Sequence, residues 1–376
     1  MVRFIHTSDW QIGMKGSGLG ESASKVREAR IASGRNVLKL AKEQKVDFVL
    51  LCGDIFEHNM VSQEDVKRVI SVFNEYQDIP IYLLPGNHDV LGAGCVYNRE
   101  IFGRVGHLTI LNSPNPVSIG DVTLHPCPVA HKRSKHDFSA TIPDVHEVEG
   151  IHIGVAHGSV VGKLAVSMWE GIDLPIYPAC VERTGIDYLA LGHWHGHSVF
   201  EDSQGLPRIA YSGTHEQTDY SENNAGFCLL VKIDGKGHTP KIEPLKTGQL
   251  SWAICKFEMK DYSSLDELKK YLDSMRDIDI VKLVLNGELP LELKGELDKL
   301  LDYQTTINKN MTVDFGSLNM TVPFTSESAF DTGDPTLSHT EVSLRKQLAD
   351  ETDPKKRLVV ARALAYLQAF AQEAEA

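Results

Sequence analysis

The sequence predicts an α/β protein in which β-sheets are covered by helices, followed by a small α+β domain and a helical tail. Apolar strand runs alternate with amphipathic helical runs over residues 1–240, and this pattern changes at about residue 245. A chain of 376 residues is also too long for one compact core. We therefore expect a first domain at 1–245, an α+β cap domain at 246–325, and a linker with a helical tail at 326–376.

The first domain is marked by short apolar runs. Val46–Leu51 and Ile81–Leu84 are typical of buried strands, and Ser62 with Asp65 forms a capping box for a helix between them. Further strands are expected at Leu108–Leu111, Val122–His125, Ile151–Ala156, Tyr188–Leu191 and Phe227–Ile233.

The rest of the chain is predicted as strand, helix, strand, helix and strand. These elements are placed at Ile254–Met259, Ser264–Met275, Ile280–Leu285, Leu291–Leu301 and Met311–Phe315. Residues 325–340 have the composition of a linker. Thr340 is expected to cap a first tail helix, and Asp353 with Pro354 to begin a second. The apolar face of the second helix comprises Leu358, Ala361, Leu364, Ala365, Leu367 and Phe370.

Composition narrows the class of protein. No apolar stretch reaches the roughly 20 residues of a membrane helix, and the strand-like start at Val2 leaves no room for a removable leader. Six scattered cysteines without a C-x-x-C pair favour free thiols and a cytoplasmic location. A formal charge of −13 argues against binding nucleic acid over the whole surface, although a local basic patch on an acidic body remains compatible with it.

Metal-favouring residues recur directly after predicted strands. They occur as Asp9-Trp10-Gln11, Gly53-Asp54, Gly86-Asn87-His88-Asp89, His157 and His193-Trp194-His195. The carboxyl ends of strands in an open α/β sheet gather at one edge, where ligands bind. Oxygen and imidazole donors without a thiolate suit manganese, iron, zinc or magnesium. Glycines before several of these residues allow the sharp turns that point side chains into one site.

These five motifs, in this order across residues 9–195, resemble the calcineurin-like metallophosphoesterase family, whose pattern is D-x-H, G-D, G-N-H-D/E, H and G-H-x-H. The segments Ile5–Trp10, Gly53–Phe56 and Tyr211–Glu216 are similar to the SbcD-type DNA repair nucleases of that family. The resemblance implies a sandwich of β-sheets flanked by helices, with the cap domain binding DNA. The G-D-x-V-D-R-G motif typical of the protein phosphatases in this superfamily is absent.

The resemblance also implies roles for individual residues. One divalent ion would be held by Asp9, Asp54 and His195, and the other by Asp54, Asn87, His157 and His193, with Asp54 shared. Manganese is expected first, with magnesium, iron or zinc as alternatives. The ions would activate a water for in-line attack on phosphorus. His88 would orient the phosphate and protonate the leaving oxygen, and Asp89 could orient His88.

One residue departs from the family pattern. Gln11 stands where the family has histidine, and an amide oxygen is a weaker donor than an imidazole. We therefore expect a weaker first metal site, or a preference for harder ions, with Gln11 as an additional ligand.

Basic residues near the motifs allow two interpretations. Lys132, Arg133 and Lys135 form the densest basic cluster, and Lys15 follows the first motif. A solvated loop and contact with the DNA backbone are both open for them. His215 could lie at the rim of the site.

The sequence leaves three functions open. The first is a DNA exonuclease or endonuclease in repair or defence, as a homodimer, with the tail binding an SbcC-like SMC-type ATPase. The second is a phosphodiesterase or phosphatase for small molecules. The third is an inactive DNA- or ATPase-binding scaffold, which Gln11 would favour.

Overall fold

The structure is a computed structural model and forms two compact units. It describes residues 1–376 apart from 17, 18, 21, 163–172, 261, 262, 276, 277, 291, 292, 309, 322–333, 354, 355, 358, 362, 365 and 368–376. The first unit comprises Met1–Gly18 and Ala23–Leu250, and the second comprises Leu19–Ser22 and Ser251–Ala376.

Strands and helices alternate over most of the first unit. Its strands are β1 (Val2–Thr7), β2 (Phe48–Cys52), β3 (Ile81–Leu84), β4 (Leu108–Ile110), β5 (Val117–Ile119), β6 (Val122–Cys127), β7 (Ile151–His157), β8 (Ser159–Val160), β9 (Pro175–Ile176), β10 (Tyr188–Gly192), β11 (Ser198–Phe200), β12 (Ile209–Tyr211), β13 (Phe227–Ile233) and β14 (Lys241–Lys246). Its α-helices are α1 (Ser22–Glu43, whose first residue is grouped with the second unit), α2 (Gln63–Asn74) and α3 (Cys180–Thr184). The predicted N-cap Ser62 accepts a hydrogen bond from the Asp65 amide at 3.0 Å.

Two six-stranded sheets carry the unit, in the orders β14-β13-β1-β2-β3-β4 and β11-β12-β10-β7-β6-β5. Strands β1 to β4 are parallel in the first sheet, and β6, β7, β10 and β12 are parallel in the second. Antiparallel strands border each parallel group. The carboxyl ends of the central strands therefore gather at one edge of each sheet.

Alternation along the strands builds a layered core. In β2, Phe48 and Leu50 pack with residues of the second sheet, such as Ile153, in a core between the two sheets. The intervening residues Val49 and Leu51 pack on the opposite face against α1 and α2. A third core covers the outer face of the second sheet. The result is a helix–sheet–sheet–helix sandwich, which confirms the predicted fold class.

The second unit is built around a parallel sheet. Its elements are β15 (Trp252–Met259), α4 (Ser263–Asp273), β16 (Ile280–Pro290), α5 (Lys294–Ile307), β17 (Met311–Asp314), β18 (Leu318–Thr321) and α6 (Pro335–Asp350). Both β17 and β18 pair with β16, at its beginning and its end. Leu268 of α4 and Leu297 of α5 are fully buried against the sheet. Strand β18 and the extension of β16 to Pro290 were not predicted.

The tail differs from its prediction in one cap. Helix α6 begins at Pro335, because the Asp334 side chain accepts hydrogen bonds from the amides of Thr336 and Leu337. Thr340 therefore lies inside the helix, and the predicted cap there is wrong. The expected linker also ends before α6 at Asp334, although most of its residues lie outside the described part of the chain.

The second tail helix is described only in part. Of its predicted apolar face, Leu364 is buried and Ala361 and Leu367 are half-buried. Leu358, Ala365 and Phe370, together with the Pro354 start, lie outside the described residues. Among the described residues, no helix combines the length and the apolar character needed to cross a membrane.

Candidate metal centre

The predicted ligands lie at the carboxyl ends of five parallel strands. Asp9, Asp54 and Asn87 follow β1, β2 and β3 of the first sheet. His157 is the last residue of β7, and His193 follows β10 of the second sheet. The edges of the two sheets meet here, because the motif residues of one sheet contact those of the other.

The backbone at this edge is strained. Four predicted ligands adopt positive φ angles, namely Asp9 (54°), Gln11 (40°), Asp54 (54°) and His193 (102°). A non-glycine residue in such a conformation costs about 1–3 kcal/mol and persists only where its surroundings impose it. Gly86 belongs to the same packing, since a Cβ there would lie 2.2 Å from the Asp54 carboxylate. The fold therefore imposes these turns on the ligand residues.

Four side chains form a tight group of donors. Ligand atoms of Asp54, His157 and His193 lie within 4.8 Å of one another. Asp54 Oδ2 is 3.2 Å from His157 Nε2, and Asn87 Oδ1 lies 2.9 Å from His157 Nε2 and 3.1 Å from His193 Nδ1. His157 Nδ1 is 2.9 Å from the Cys52 carbonyl, to which it donates, so that Nε2 faces the group.

The charge of this group suits a cation. Burial disfavours the His157 imidazolium, but the charge and hydrogen bond of Asp54, together with the Asp9 charge and the Cys52 carbonyl, outweigh this effect and raise the pKa of His157 to about 9. Burial likewise opposes ionisation of Asp54, yet the charge and hydrogen bond of His157 lower its pKa to about 2. Burial and the charge of His157 lower the pKa of His193 to about 3. Converging acceptors that retain one proton can exchange it for a divalent cation, so the residues fit a metal ion.

The remaining predicted ligands lie beside this group. The Asp9 carboxylate accepts from the His193 amide at 3.0 Å and from Ser8 Oγ at 2.5 Å. Gln11 Nε2 is 3.1 Å from His195 Nε2, so its amide nitrogen, not its oxygen, faces the ring. Among the described residues, Asp9 and His195 fall outside the tight group. The structure thus brings all seven predicted ligands together, with the Asp9, Gln11 and His195 set less compact than the other.

Comparison with known proteins identifies the family. The model of the calcineurin-like phosphoesterases matches residues 2–197, more than half of the chain. The chain belongs to the calcineurin-like phosphoesterase family. This confirms the family predicted from the five motifs, and supports a metal-dependent hydrolase that binds divalent ions.

Relatives of this phosphoesterase include two groups. The uncharacterized metallophosphoesterase YhaO of Bacillus subtilis is 25% identical over 337 residues, which cover 80% of this chain and 76% of YhaO. The DNA double-strand break repair protein Mre11 of Methanosarcina acetivorans is 22% identical over 315 residues, which cover 80% of this chain and 47% of that protein. These relatives agree with the narrower resemblance to SbcD-type proteins. A solved structure, TT1561 of Thermus thermophilus, aligns over 65% of this chain and 99% of its own, with a TM-score of 0.42 and 11% identity.

His88 of the phosphoesterase is oriented by Glu57. Its ring Nδ1 lies 2.9 Å from the Glu57 carbonyl oxygen and 3.7 Å from the Glu57 carboxylate. The His88 amide donates to Asp54 Oδ1 at 2.8 Å, which ties the backbone of His88 to a predicted ligand. The side chain is 28% exposed, so the ring borders the open side of the site.

Asp89 does not orient His88, and that prediction is wrong. Its buried carboxylate accepts from the amides of Gly86, Ile55 and Phe56, at 2.7, 2.8 and 3.1 Å, and also from the Tyr97 hydroxyl. Adjacent side chains point in different directions on this turn. Asp89 instead joins the loops after β2 and β3 and so holds together two turns that carry predicted ligands.

A buried arginine anchors the turn after β1. Arg30 of α1 donates to the carbonyls of Asp9 and Trp10, at 2.9 and 2.7 Å, and to that of Glu216 at 3.0 Å. His215 is fully buried, stacks on Trp10 and contacts the Arg30 carbonyl at 2.7 Å. The expectation that His215 lies at the rim is therefore wrong.

Sequence reasoning missed several residues of this site, including Arg30, Glu57 and Glu222. Glu222 contacts the Nδ1 atom of His195 at 2.5 Å. None of the three belongs to a ligand motif, and their contacts cross long stretches of sequence.

The predicted basic residues are exposed. Lys15, Lys132, Arg133 and Lys135 all face solvent, and Arg133 has Asp173 at 4.0 Å. The loop of the last three is tied toward the site, because the Ser134 carbonyl accepts from the Leu174 amide at 2.7 Å. The Leu174 carbonyl in turn accepts from the Ser159 amide at 2.9 Å, two residues after His157.

Proposed function

We propose that this chain is a two-metal-dependent DNA nuclease, acting as an exonuclease, an endonuclease or both, in DNA repair or defence. The observation that carries the proposal is the convergence of seven predicted ligand side chains at the edge of a phosphoesterase sandwich. The substrate class is suggested by the Mre11 relatives, which are named as DNA double-strand break repair proteins.

Two overlapping ligand sets would hold the ions. Asp9, Gln11 and His195 would form the first set and Asn87, His157 and His193 the second, with Asp54 shared between them. We propose manganese as the working ion, with magnesium, iron or zinc as alternatives, because the donors are oxygen and imidazole nitrogen. When bound, the ions supply Lewis acidity that acidifies a water and neutralises charge developing at phosphorus.

His88 would act on the substrate. Nδ1–H donates a hydrogen bond to the Glu57 carbonyl, so that in the doubly protonated ring the Nε2 proton would be available to a phosphate oxygen. A ring fixed in this way can orient the phosphate and deliver a proton to the leaving oxygen. The Glu57 carboxylate lies 3.7 Å from the same Nδ1 atom.

Two surface features support a nucleic-acid substrate. Trp194 lies between two predicted ligands and is 41% exposed, as suits a ring on which a base can stack. The loop of Lys132, Arg133 and Lys135 is held toward His157 by the hydrogen bonds described above and provides positive charge for backbone phosphates. Lys15 would contribute in the same way.

Two alternative functions are each supported by a single observation. YhaO is named only as a metallophosphoesterase, which leaves a small-molecule phosphodiesterase or phosphatase as the second candidate. Gln11, which stands where the family has histidine, leaves an inactive DNA- or ATPase-binding scaffold as the third candidate.

We also propose a cellular context. Six buried free cysteines fit a reducing, cytoplasmic location. The tail exposes Val342, Val359 and Tyr366, which suits docking of an SbcC-like ATPase. A homodimer and a DNA-binding role for the cap domain are predictions from the same resemblance.

The experiment compares wild type with His88→Ala on linear and closed-circular DNA, single- and double-stranded, with added manganese. We expect wild-type cleavage and a loss of about 10²- to 10⁴-fold in the variant, because a positioned acid is removed. His146→Ala is the control, since His146 is an exposed histidine that contacts Asp144 at 2.6 Å. The circular substrates separate endonuclease from exonuclease activity.

Three results would contradict the proposal. Hydrolysis of a generic phosphodiester without cleavage of any DNA would favour the small-molecule enzyme. Activity on neither substrate, with metal bound, would favour the scaffold or the need for an ATPase partner. Equal cleavage by wild type and His88→Ala would remove the role of His88.

A further inference from the structure

Glu222 lies in the segment between β12 and β13, which packs against the loop after β10. Backbone hydrogen bonds join the two on either side of His195. The Thr214 amide donates to the His195 carbonyl at 2.9 Å, and the His197 amide donates to the Asn224 carbonyl at 3.0 Å. Backbone packing that does not involve the Glu222 side chain therefore brings that residue next to the ring.

The carboxylate of Glu222 is held on both oxygens. Oε1 accepts from His195 Nδ1 at 2.5 Å and from Thr218 Oγ1 at 2.7 Å. Oε2 accepts from the amides of Thr218 and Asp219 at 2.6 and 3.1 Å. The side chain is only 9% exposed. Three donors besides the imidazole fix the carboxylate, so the carboxylate can fix the ring.

This contact determines which nitrogen of His195 is free. A carboxylate accepts, so Nδ1 carries a proton, and in the neutral ring Nε2 keeps its lone pair. The Gln11 amide nitrogen lies 3.1 Å from Nε2, a donor facing an acceptor, as this tautomer requires. The lone pair is therefore directed toward another member of the first ligand set.

We propose that Glu222 is a positioning residue for His195 and determines how tightly the Asp9, Gln11 and His195 set holds a divalent ion. Carboxylates that orient a ligating histidine typically contribute about 10- to 100-fold to metal affinity. The contribution matters here because Gln11 replaces an imidazole, which leaves His195 as the sole imidazole of this set. The inference deepens the proposed function and rests on its metal-binding part, not on DNA cleavage.

The test measures metal binding without substrate. Metal-free protein is titrated with manganese by calorimetry, and the number and pairing of bound ions are followed by electron paramagnetic resonance. The variants are Glu222→Ala and Glu222→Gln. The control is Glu182→Ala, because the Glu182 carboxylate also holds a loop, by accepting from the Ser203 amide at 2.7 Å.

We expect wild type to bind two ions of unequal affinity with the spectrum of a coupled pair. Glu222→Ala should weaken the binding of one ion by about 10- to 100-fold. At a manganese concentration that just fills both wild-type sites, the spectrum of this variant should become that of a single ion. The manganese affinity of Glu222→Gln, which keeps an acceptor for Nδ1, should lie between the affinities of wild type and Glu222→Ala. In the presence of chelator, the Tm of each Glu222 variant should change no more than the Tm of Glu182→Ala. Metal binding by Glu182→Ala should match that of wild type.

Different failures have different meanings. Two ions bound as in wild type by both Glu222 variants would overturn this inference alone. An equal loss of metal in Glu222→Ala and Glu182→Ala would also overturn it, since loop loosening would explain both. If Glu222→Ala does not fold, Glu222→Gln decides by the same criteria. A wild type that binds fewer than two ions would overturn the two-metal function as well.

Discussion

Acid should destabilise the first unit through a buried pair of histidines on β6 and β7. His125 Nε2 lies 3.0 Å from His152 Nδ1, and His152 Nε2 lies 3.3 and 3.1 Å from the carbonyls of Val148 and Glu149. Carbonyls only accept, so His152 Nε2 carries a proton and His152 Nδ1 accepts from His125. His125 Nδ1 then holds a lone pair, and it has no hydrogen-bond partner within the described part of the chain.

The geometry determines the sign of the effect. Burial and the neighbouring His152 lower the pKa of His125 from 6.5 to about 4. Well above pH 6.5 the ring is neutral in both states and contributes no pH dependence. As the pH falls from 6.5 toward 4, the unfolded chain binds a proton that the folded state rejects, so stability is lost. The lost free energy of unfolding is about 2 kcal/mol at pH 5.

The assay is urea unfolding of wild type and His125→Gln in chelator, at about pH 7.5 and about pH 5. Glutamine keeps a donor for His152 but does not titrate. Between about pH 7.5 and about pH 5, we expect the free energy of unfolding to fall by about 2 kcal/mol more in wild type than in His125→Gln. His146→Gln, at an exposed histidine, should behave as wild type. Equal losses in wild type and His125→Gln would refute the reasoning.

Two further predictions concern the metal centre and the substrate. Gln11→His should tighten the weaker manganese site by about 10-fold in calorimetry, because imidazole is a better donor and histidine tolerates the positive φ at this position; unchanged affinity would mean that residue 11 is not a ligand. Trp194→Ala should weaken binding of single-stranded DNA by about 10-fold in fluorescence anisotropy, while Trp194→Phe retains most of it. Tyr177→Ala, at another exposed ring, is the control, and a loss of the same size there would argue against stacking on Trp194.

The fold and the grouping of the candidate ligands could be predicted because their signals are local. A buried strand shows as a short apolar run, and a glycine before Asp54 or His193 marks the turn that follows it. The same information did not give the direction of a side chain on such a turn. Asp89 follows His88 directly, yet its carboxylate is taken by the amides of Ile55 and Phe56, which belong to another loop.

Contacts between residues distant in sequence explain other differences between the prediction and the structure. The partner of His195 comes from Glu222 and that of His88 from Glu57, and neither pairing has a signature in sequence spacing. In the tail, Asp334 and Thr340 were both able to cap a helix, and proline at position 335 makes the earlier start more favourable. Which residue caps a helix depends on competition between nearby candidates. A sequence pattern that considers each candidate separately does not include this competition.

The buried guanidinium of Arg30 has a mechanical consequence. Its planar fork reaches carbonyls on two loops from a single side chain on α1, which the single ammonium of lysine is poorly suited to do. The hydrogen bonds of this one side chain therefore connect α1 directly to the backbone of Asp9. A force on the outer face of α1, such as a docked macromolecule would exert, would be transmitted directly to the first residue of the metal-binding pattern.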